Sequence, residues 1–147
     1  MNGPLVCVVD ASVAIKLYVA EALSNEAHVL FACLANPATK LHVPDLLYNI
    51  LWKYVQRGNA SAAVATAHFQ AIAKLPLLST ATADLGSDAL ALALAHGISV
   101  YDACYAALSQ RLGVPLITAD EKLTNRLASL TPSVTWLGNW TPPPPAT

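Results

Sequence analysis

Three aspartates stand where an α/β protein commonly places its chemistry. Asp10 and Asp120 each directly follow a buried-looking apolar run, at residues 5–9 and 116–119, and Asp102 opens a helical pattern. Because parallel strands end at one edge of an open sheet, where sites form, we expect these carboxylates to converge. Carboxylate oxygens suit a hard divalent cation such as Mg²⁺ or Mn²⁺. The pattern points to metal-assisted phosphodiester chemistry.

Each aspartate taken alone has a simpler explanation. An aspartate at the start of a helix most often caps that helix, as Asp102 or Asp120 could, and Asp10 could be a turn residue. Three carboxylates on one edge outweigh that explanation, because like charges repel and a divalent cation relieves the repulsion. Such a cation also polarises a phosphate and lowers the pKa of a bound water. The spacing alone does not name the reaction.

The composition favours one globular domain, at residues 1–140, followed by a proline-rich flexible tail at 141–147. The chain has 147 residues, of which 55% are hydrophobic and 12% are charged, so it can bury a sizeable core. Its net charge of −1 argues against a protein that coats nucleic acid electrostatically. An enzyme whose metal supplies the local positive charge remains compatible with that balance.

The cysteines favour a reducing compartment. Cys7, Cys33 and Cys104 are widely spaced and form neither a CxxC motif nor a disulfide framework. We therefore expect buried, reduced thiols in a cytoplasmic protein. No apolar stretch is long enough to span a bilayer, and no basic segment precedes the first strand as in a signal peptide. We expect no membrane partner.

Strands alternate with helices along the chain. Valine-rich or apolar runs predict strands at 5–9, 41–43, 77–78, 115–118 and 134–136. Gly97 and Gly113 each stand where a helical pattern stops, as glycine does at helix ends. The alternation predicts an α/β fold, a three-layer α/β/α sandwich on a parallel sheet.

Three segments resemble the motifs of one nuclease family. Residues 8–14 (VVDASVA), 100–108 (VYDACYAAL) and 116–123 (LITADEKL) are similar to the first, third and fourth motifs of PIN-domain ribonucleases. The likeness is greatest to the VapC-like toxins of toxin–antitoxin pairs. Motif order and spacing agree from about residue 5 to 137, nearly the whole chain.

This resemblance implies both a structure and an activity. It implies a PIN-like fold on a five-stranded parallel sheet and a Mg²⁺- or Mn²⁺-dependent endoribonuclease that cleaves RNA. It also implies a homodimer that an antitoxin protein inhibits. Asp10, Asp102 and Asp120 match the family's metal-binding catalytic acids. Ser12 and Thr118 match polar positions that hold the metal-bound water or the carboxylates.

One motif departs from the family. Its members usually carry a glutamate in the helix after the second strand, but residues 44–54 contain none. About four residues, roughly one helical turn, are absent between Tyr48 and Asn49. Aligning the helix from its far end puts Leu46 at the acid's place, whereas aligning it from its start puts Ile50 there. Neither side chain can bind a metal.

Asp45 is the only acid near the gap, and it either substitutes for the glutamate or caps its helix. Without a substitute, the site is a weakened three-aspartate site, with metal affinity lower by about 10- to 100-fold. The alternative is a catalytically inactive PIN-like module that dimerises and binds an antitoxin or RNA. A receiver-like signalling domain would also gather acids around Mg²⁺. It would need a lysine after the last strand, where residues 136–138 read Trp-Leu-Gly.

Partner surfaces are predicted from charge and hydropathy. Five basic side chains could contact RNA phosphates, although as scattered solvated charges they need no function: Lys16, Lys53, Arg57, Lys122 and Arg126. The helices around residues 13–34 and 46–57 are apolar enough to form the dimer and antitoxin surface.

Overall fold

The centre of the molecule is a five-stranded parallel sheet. The computed structural model describes residues 1–147. Its strands are β1 (Val6–Val9), β2 (Lys40–Pro44), β3 (Leu78–Thr80), β4 (Leu116–Thr118) and β5 (Val134–Trp136). They lie in the order β3-β2-β1-β4-β5, and every neighbouring pair is parallel. The predicted α/β class with a five-stranded parallel sheet is confirmed.

Seven α-helices connect and cover the strands: α1 (Ala11–Ala14), α2 (Ser24–Ala32), α3 (Asn49–Gln56), α4 (Ala62–Ala73), α5 (Thr82–His96), α6 (Val100–Leu112) and α7 (Glu121–Arg126). Gly97 and Gly113 end α5 and α6 with φ angles of 65° and 67°. This left-handed conformation is easy for glycine and satisfies the last carbonyls of a helix. Both helix ends are where the sequence predicted them.

Helix α3 is shorter than the predicted helix at 46–57. Residues 45–48 form turns instead, in which Asn49 and Leu51 donate backbone hydrogen bonds to Leu46 and Tyr48, three residues back. The first full α-helical turn therefore starts only at Asn49. This tight segment is where the resemblance predicts that one helical turn is absent.

The core lies on both sides of β1. Cys7, Val8 and Val9 are fully buried, as a central strand of a parallel sheet must be. Helix α6 packs against β1, β2 and α5, and residues 103–109 are all buried. No single helix is both long and apolar enough to cross a membrane. Helices α5 and α6 taken together are long and apolar enough, but the chain bends by 114° between them.

The strand order places the site. Strand β1 pairs with β2 on one side and with β4 on the other, so the chain order reverses between β1 and β4. In an open parallel sheet, this reversal leaves a crevice beyond the carboxyl ends of the two strands. Asp10 and residues 119–120 follow those two ends directly.

The proline-rich tail turns back to the other end of the chain. Residues 141–147 contain no helix or strand, but the Gly3 N–H donates to the Pro143 and Pro144 carbonyls at 3.3 and 3.1 Å. A side chain at Gly3 would collide with the Pro144 carbonyl oxygen. These contacts place part of the tail against the N-terminal segment.

Candidate active site

Asp10 is held by two hydroxyl groups. The Thr118 Oγ1 donates to Asp10 Oδ2 at 2.6 Å, and the Ser12 Oγ donates to the same oxygen at 2.9 Å. Asp10 and Thr118 are buried, and Ser12 is half-buried. Because both hydroxyl bonds end on Oδ2, the other carboxylate oxygen, Oδ1, receives no side-chain hydrogen bond.

The same two hydroxyls fix the loop after β4. Ser12 Oγ accepts a hydrogen bond from the Ala119 N–H at 3.0 Å, and Thr118 Oγ1 accepts one from the Asp120 N–H at 3.1 Å. Each hydroxyl therefore gives its proton to Asp10 and receives a backbone proton. Ser12 and Thr118, predicted as supporting polar residues, join the ends of β1 and β4 in one network.

Asp102 reaches the site from the first turn of α6. Ser99, not Asp102, caps this helix, since Ser99 Oγ accepts from the Asp102 N–H at 3.1 Å. The half-buried Asp102 carboxylate is therefore not used as a cap. Burial raises the pKa of Asp102 above the ordinary value, and the hydrogen bond with the Ser99 hydroxyl lowers it. The charge of Asp120 also raises the pKa of Asp102, and the charge of Lys53 lowers it.

Asp120 both caps a helix and lines the cavity. It caps α7, with Oδ1 accepting from the Leu123 N–H at 3.1 Å, and it lines the same cavity as Asp10 and Asp102. Its side chain is exposed. The simpler explanation for an aspartate at a helix start thus holds for Asp120 without removing it from the site.

The three carboxylates repel one another. Burial raises the pKa of Asp10, the hydrogen bond from Thr118 opposes this, and the nearby charge of Asp102 raises it further. Asp102 feels the charge of Asp120 in the same way. A bound cation would relieve the nearby negative charge that raises the pKa of Asp10 and of Asp102.

A cavity of about 300 Å³ opens at this edge of the sheet. The lining includes the three aspartates with Ser12, and Tyr101 and Tyr105 of α6. Helix α3 and the segment before it form the α3 wall, and with their neighbours they supply Lys16, Glu21, Leu46, Asn49, Ile50, Lys53, Tyr54 and Arg57. Lys16, Lys53 and Arg57 form the cationic wall, and Lys53 is near enough to Asp102 to lower the pKa of that carboxyl.

The expected glutamate has no replacement on α3. Leu46 and Ile50, the two positions that the alignments gave for it, both line the cavity. Asn49 is the polar side chain between them, and sequence reasoning gave it no role. Asn49 and Lys53 lie one turn apart, so they share one face of the helix.

Asp45 does not take the glutamate's place. It does not line the cavity, and it is exposed. Its Oδ1 accepts from the Thr82 N–H at 3.0 Å. Thr82 begins α5, whose first N–H groups lack partners within the helix, and a carboxylate is a favourable acceptor there. Asp45 thus serves neither as a substitute acid nor as the cap of its own helix.

Glu21 is an acid of the cavity wall that the sequence did not reveal. Lys16 Nζ lies 2.9 Å from Glu21 Oε1, and the Tyr54 hydroxyl donates to both carboxylate oxygens at 2.8 and 3.0 Å. Burial raises the pKa of Tyr54, and its bond to Glu21 adds to that shift. The contact joins α3 to the segment before α2. No local pattern signals it, because Glu21 and Tyr54 are far apart in the chain.

The five candidate basic residues divide into two groups. Lys16, Lys53 and Arg57 line the cavity, whereas Lys122 and Arg126 do not. Arg126 donates to the Gly97 carbonyl at 2.8 Å and so closes the end of α5. Only the first group is placed to meet a phosphate at the aspartates.

Tyr105 lines the cavity, but its hydroxyl is buried. The side chain lies one turn after Asp102 on α6 and is only 3% exposed. Its hydroxyl is buried and completes no hydrogen bond in the structure. Burial raises the pKa of this phenol, the charges of Asp10 and Asp102 add to the shift, and the Ala11 backbone opposes it. The group is therefore a neutral O–H donor.

The donor set fits a hard cation. All three acids offer carboxylate oxygens, and the negative charge that raises the pKa of Asp10 and Asp102 favours a positive ligand. No three Asp, Glu, His or Cys side chains are grouped closely enough to share one ion directly. Mg²⁺ commonly binds through one or two carboxylates and several waters, which is the mode that this spacing allows.

Comparison with known proteins decides the family. A model of the PIN domain matches residues 7–128. This chain belongs to the PIN-domain family. The match contains the three motifs that resembled the family, so that prediction is confirmed. The PIN domain is 36% identical over 129 residues to Ribonuclease VapC3 of Pyrobaculum aerophilum, covering 84% of this chain and 95% of the relative.

Solved structures share the PIN fold. The VapC20 toxin of Mycobacterium tuberculosis, described as cleaving the sarcin–ricin loop, superposes with a TM-score of 0.65 at 18% identity, over 88% of this chain and 99% of its own. A toxin–antitoxin complex from Klebsiella pneumoniae gives a TM-score of 0.58 at 16% identity, over 88% and 96% of the two chains. At these identities the likeness establishes the fold.

Proposed function

We propose that this PIN domain is a metal-dependent endoribonuclease, the toxin component of a toxin–antitoxin system. The observation that carries the proposal is the meeting of Asp10, Asp102 and Asp120 at one cavity, on the edge where β1 and β4 end. The 36% identity to a ribonuclease of the VapC type supports RNA as the substrate.

Asp10, Asp102 and Asp120 would together hold a Mg²⁺ or Mn²⁺ ion, one or two of them directly and the rest through waters on the ion. When bound, the cation supplies Lewis-acid polarisation of a phosphate and a water of lowered pKa. Asp10 is the best-oriented of the three acids, because the Thr118 and Ser12 hydroxyls both hold its Oδ2. Such orienting hydrogen bonds commonly matter nearly as much as the ligands themselves.

The cationic wall would bind the RNA backbone. Lys53 of α3, Arg57 at the end of that helix and Lys16 line the same cavity as the aspartates. Phosphates attract such side chains regardless of base sequence, so these contacts would position the strand rather than select it. Lys16 Nζ forms an ion pair with Glu21 Oε1 at 2.9 Å. Lys53 and Arg57 are therefore the freer cations.

The partners follow from the relatives. An antitoxin protein is supported by the structural neighbour that was solved as a toxin–antitoxin complex. We also propose a homodimer and a cytoplasmic location, the latter supported by three buried, free cysteines. Of the apolar side chains on α3 that suggested a partner surface, Leu51 packs in the core and Trp52 is 61% exposed. Trp52 is therefore the side chain of α3 best placed for such a surface.

A second function has one observation in its favour. The α3 wall presents Leu46 and Ile50 where the family usually has its glutamate, and Asp45 is turned away. A PIN domain that lacks one acid could bind RNA or an antitoxin without cleaving. Both functions use the same cavity, and they differ in whether a cation is bound tightly enough for catalysis.

The test is cleavage of single-stranded RNA by the purified chain in Mg²⁺, in Mn²⁺ and in EDTA. We expect cleavage in either metal, none in EDTA, and a loss of at least about 100-fold in Asp10→Asn and Asp102→Asn. Asp88→Asn is the matched control, because Asp88 is an exposed acid of α5 outside the cavity.

Binding of Mn²⁺ by calorimetry separates the two functions. Binding that is lost in Asp10→Asn/Asp102→Asn supports the nuclease. Absence of Mn²⁺ binding and of cleavage in the unaltered chain, with RNA still bound, would instead establish the non-catalytic module.

A further inference from the structure

Tyr101 brings an exposed aromatic ring to the cavity of the aspartates. The side chain is 54% exposed, it lines the cavity, and it directly precedes Asp102 in the first turn of α6. The ring takes part in neither of the two aromatic pairs of the fold. It is therefore open to a ligand and has no aromatic partner within the chain.

The tyrosine one turn further along the same helix has a different role. Tyr105 also lines the cavity, but it is 3% exposed and belongs to the hydrophobic core. Burying an aromatic side chain stabilises a fold because a large apolar area leaves water. Tyr101 keeps about half of its surface in water, so it contributes less to the core than Tyr105 does. A single exposed aromatic residue needs no function by itself, and it is the position of Tyr101 that suggests one.

The charges near Tyr101 define which part of a nucleotide could meet the ring. Lys53 and Arg57 line the cavity and can bind phosphates, and Lys53 is near enough to Asp102 to influence that carboxyl. The carboxylates of Asp102 and Asp10 repel a phosphate unless a cation is bound. An uncharged, flat ring beside these groups suits the uncharged, flat part of a nucleotide, which is its base.

We propose that the Tyr101 ring stacks on an unpaired base of the RNA whose backbone is bound at the aspartates, which makes Tyr101 a base-binding residue. The inference rests on the proposed function and narrows its substrate to strands or loops. Only there can a base leave its neighbours and stack on a protein side chain. Every base has a face that can stack, so this contact accepts many sequences.

Two variants at position 101 separate the aromatic ring from the hydroxyl group. Tyr101→Phe keeps the ring, whereas Tyr101→Leu replaces it with an apolar side chain that cannot stack. We expect Tyr101→Phe to bind a short single-stranded RNA as the unaltered chain does, and Tyr101→Leu to bind it with a Kd about 5- to 150-fold higher. Fluorescence anisotropy in EDTA, where metal-dependent cleavage is blocked, measures both. Trp52→Leu is the matched control, because Trp52 is an aromatic residue of similar exposure, 61%, outside the cavity.

A base-free ligand tests what the ring contacts. An oligomer of the same length with an abasic site at every position keeps the ribose-phosphate backbone and offers no base. We expect the unaltered chain and Tyr101→Leu to bind this oligomer with equal Kd. On intact RNA, the slope of log affinity against log NaCl should be the same for both, since no phosphate contact is removed. The melting temperature of Tyr101→Leu should change by less than about 2 °C, because the side chain is exposed.

The outcomes separate this inference from the proposed function. Equal Kd values of Tyr101→Leu and the unaltered chain on intact RNA would overturn the stacking contact, and so would an equal loss on the base-free oligomer. A loss in Tyr101→Phe as large as in Tyr101→Leu would assign the contact to the hydroxyl and overturn it too. An equally large loss in Trp52→Leu would show an unspecific effect and contradict it.

The proposed function fails on its own if the unaltered chain cleaves no RNA in Mg²⁺ or Mn²⁺. The binding measurements in EDTA then still decide whether Tyr101 holds a base. An unaltered chain that binds no RNA at all would overturn the Tyr101 contact as well.

Discussion

Thr118 and Asp10 are joined by a hydrogen bond of 2.6 Å between Oγ1 and Oδ2, although 108 positions separate them in the chain. Both side chains are buried, at 0% and 6% exposure. The bond ties the end of β4 to the end of β1 at the point where the strand order reverses. It also lowers the pKa of Asp10 against the larger, raising effect of burial. One contact thus serves both the fold and the ionisation of the site.

Thr118→Val tests that contact. Valine keeps the shape but removes the donor, leaving a buried carboxylate with only the Ser12 hydrogen bond. We expect a loss of about 1–3 kcal/mol in the free energy of unfolding at neutral pH, measured by urea denaturation. Thr66→Val on exposed α4 is the control, and should change stability by less than about 0.5 kcal/mol. Equal effects at both positions would show that the Asp10 contact has no special weight.

Asp10→Asn should make the fold more stable at neutral pH. Burial raises the pKa of Asp10 in the folded chain above the ordinary value of 3.8. The folded chain therefore holds a proton on Asp10 more tightly than the unfolded chain does. The stability linked to this group is fully present below about pH 3.8 and is lost as pH rises through the folded pKa.

Asparagine at position 10 carries no charge, so Asp10→Asn does not lose this stability as the pH rises. We expect the variant to be more stable than the unaltered chain by about 1–3 kcal/mol at pH 7, with the difference shrinking towards pH 4. Denaturation at several pH values measures it. Saturating Mn²⁺ should stabilise the unaltered chain and not the variant, because a ligand stabilises only the state that binds it. A variant that is less stable at pH 7 would contradict the account of Asp10 as a strained, buried charge.

The sequence predicts the parts of this site that local rules control. Asp10 and Asp120 follow strands recognisable from apolar runs, and parallel strands must end at one edge, so their approach needs no knowledge of packing. Gly97 and Gly113 mark helix ends for an equally local reason. These features depend on neighbouring residues only.

Other features depend on how distant segments pack. The Tyr54–Glu21 hydrogen bond exists because α3 lies beside the segment before α2. Asp45 turns to Thr82 because β2 and β3 are adjacent, so the residues after each of them meet. The isolation of the Tyr105 hydroxyl depends on everything around it. Such contacts carry no periodicity or spacing in the chain that a reader of the sequence could detect.

Lys53→Met tests the cationic wall. Lys53 lines the same cavity as Asp102 and lowers that carboxyl's pKa. If it also binds a phosphate, its loss should weaken RNA binding and reduce the slope of log affinity against log salt by about 0.7, as for one contact on a single strand. Fluorescence anisotropy at several NaCl concentrations in EDTA measures this. Lys74→Met, at the exposed end of α4, is the control. An unaltered slope in Lys53→Met would remove Lys53 from the RNA site.

Ile50→Glu tests whether the missing acid limits the site. Ile50 lines the cavity in the first turn of α3, one turn before Lys53, so a carboxylate there would enter the same space as Asp102. We expect Mn²⁺ to bind about 10-fold more tightly, by calorimetry, and RNA cleavage to rise with it. Leu46→Glu is the alternative placement, and a larger gain there would favour aligning the helix from its far end.

Trp52→Glu supplies the control on the same helix. Trp52 is 61% exposed and does not line the cavity, so a glutamate there adds the same charge without adding a ligand. A gain in Mn²⁺ affinity at Trp52 equal to that at Ile50 would mean that net charge, not coordination, is responsible. No gain at either Ile50 or Leu46 would mean that the three aspartates already form the complete site, because added carboxylates inside the cavity would then find no vacant coordination position.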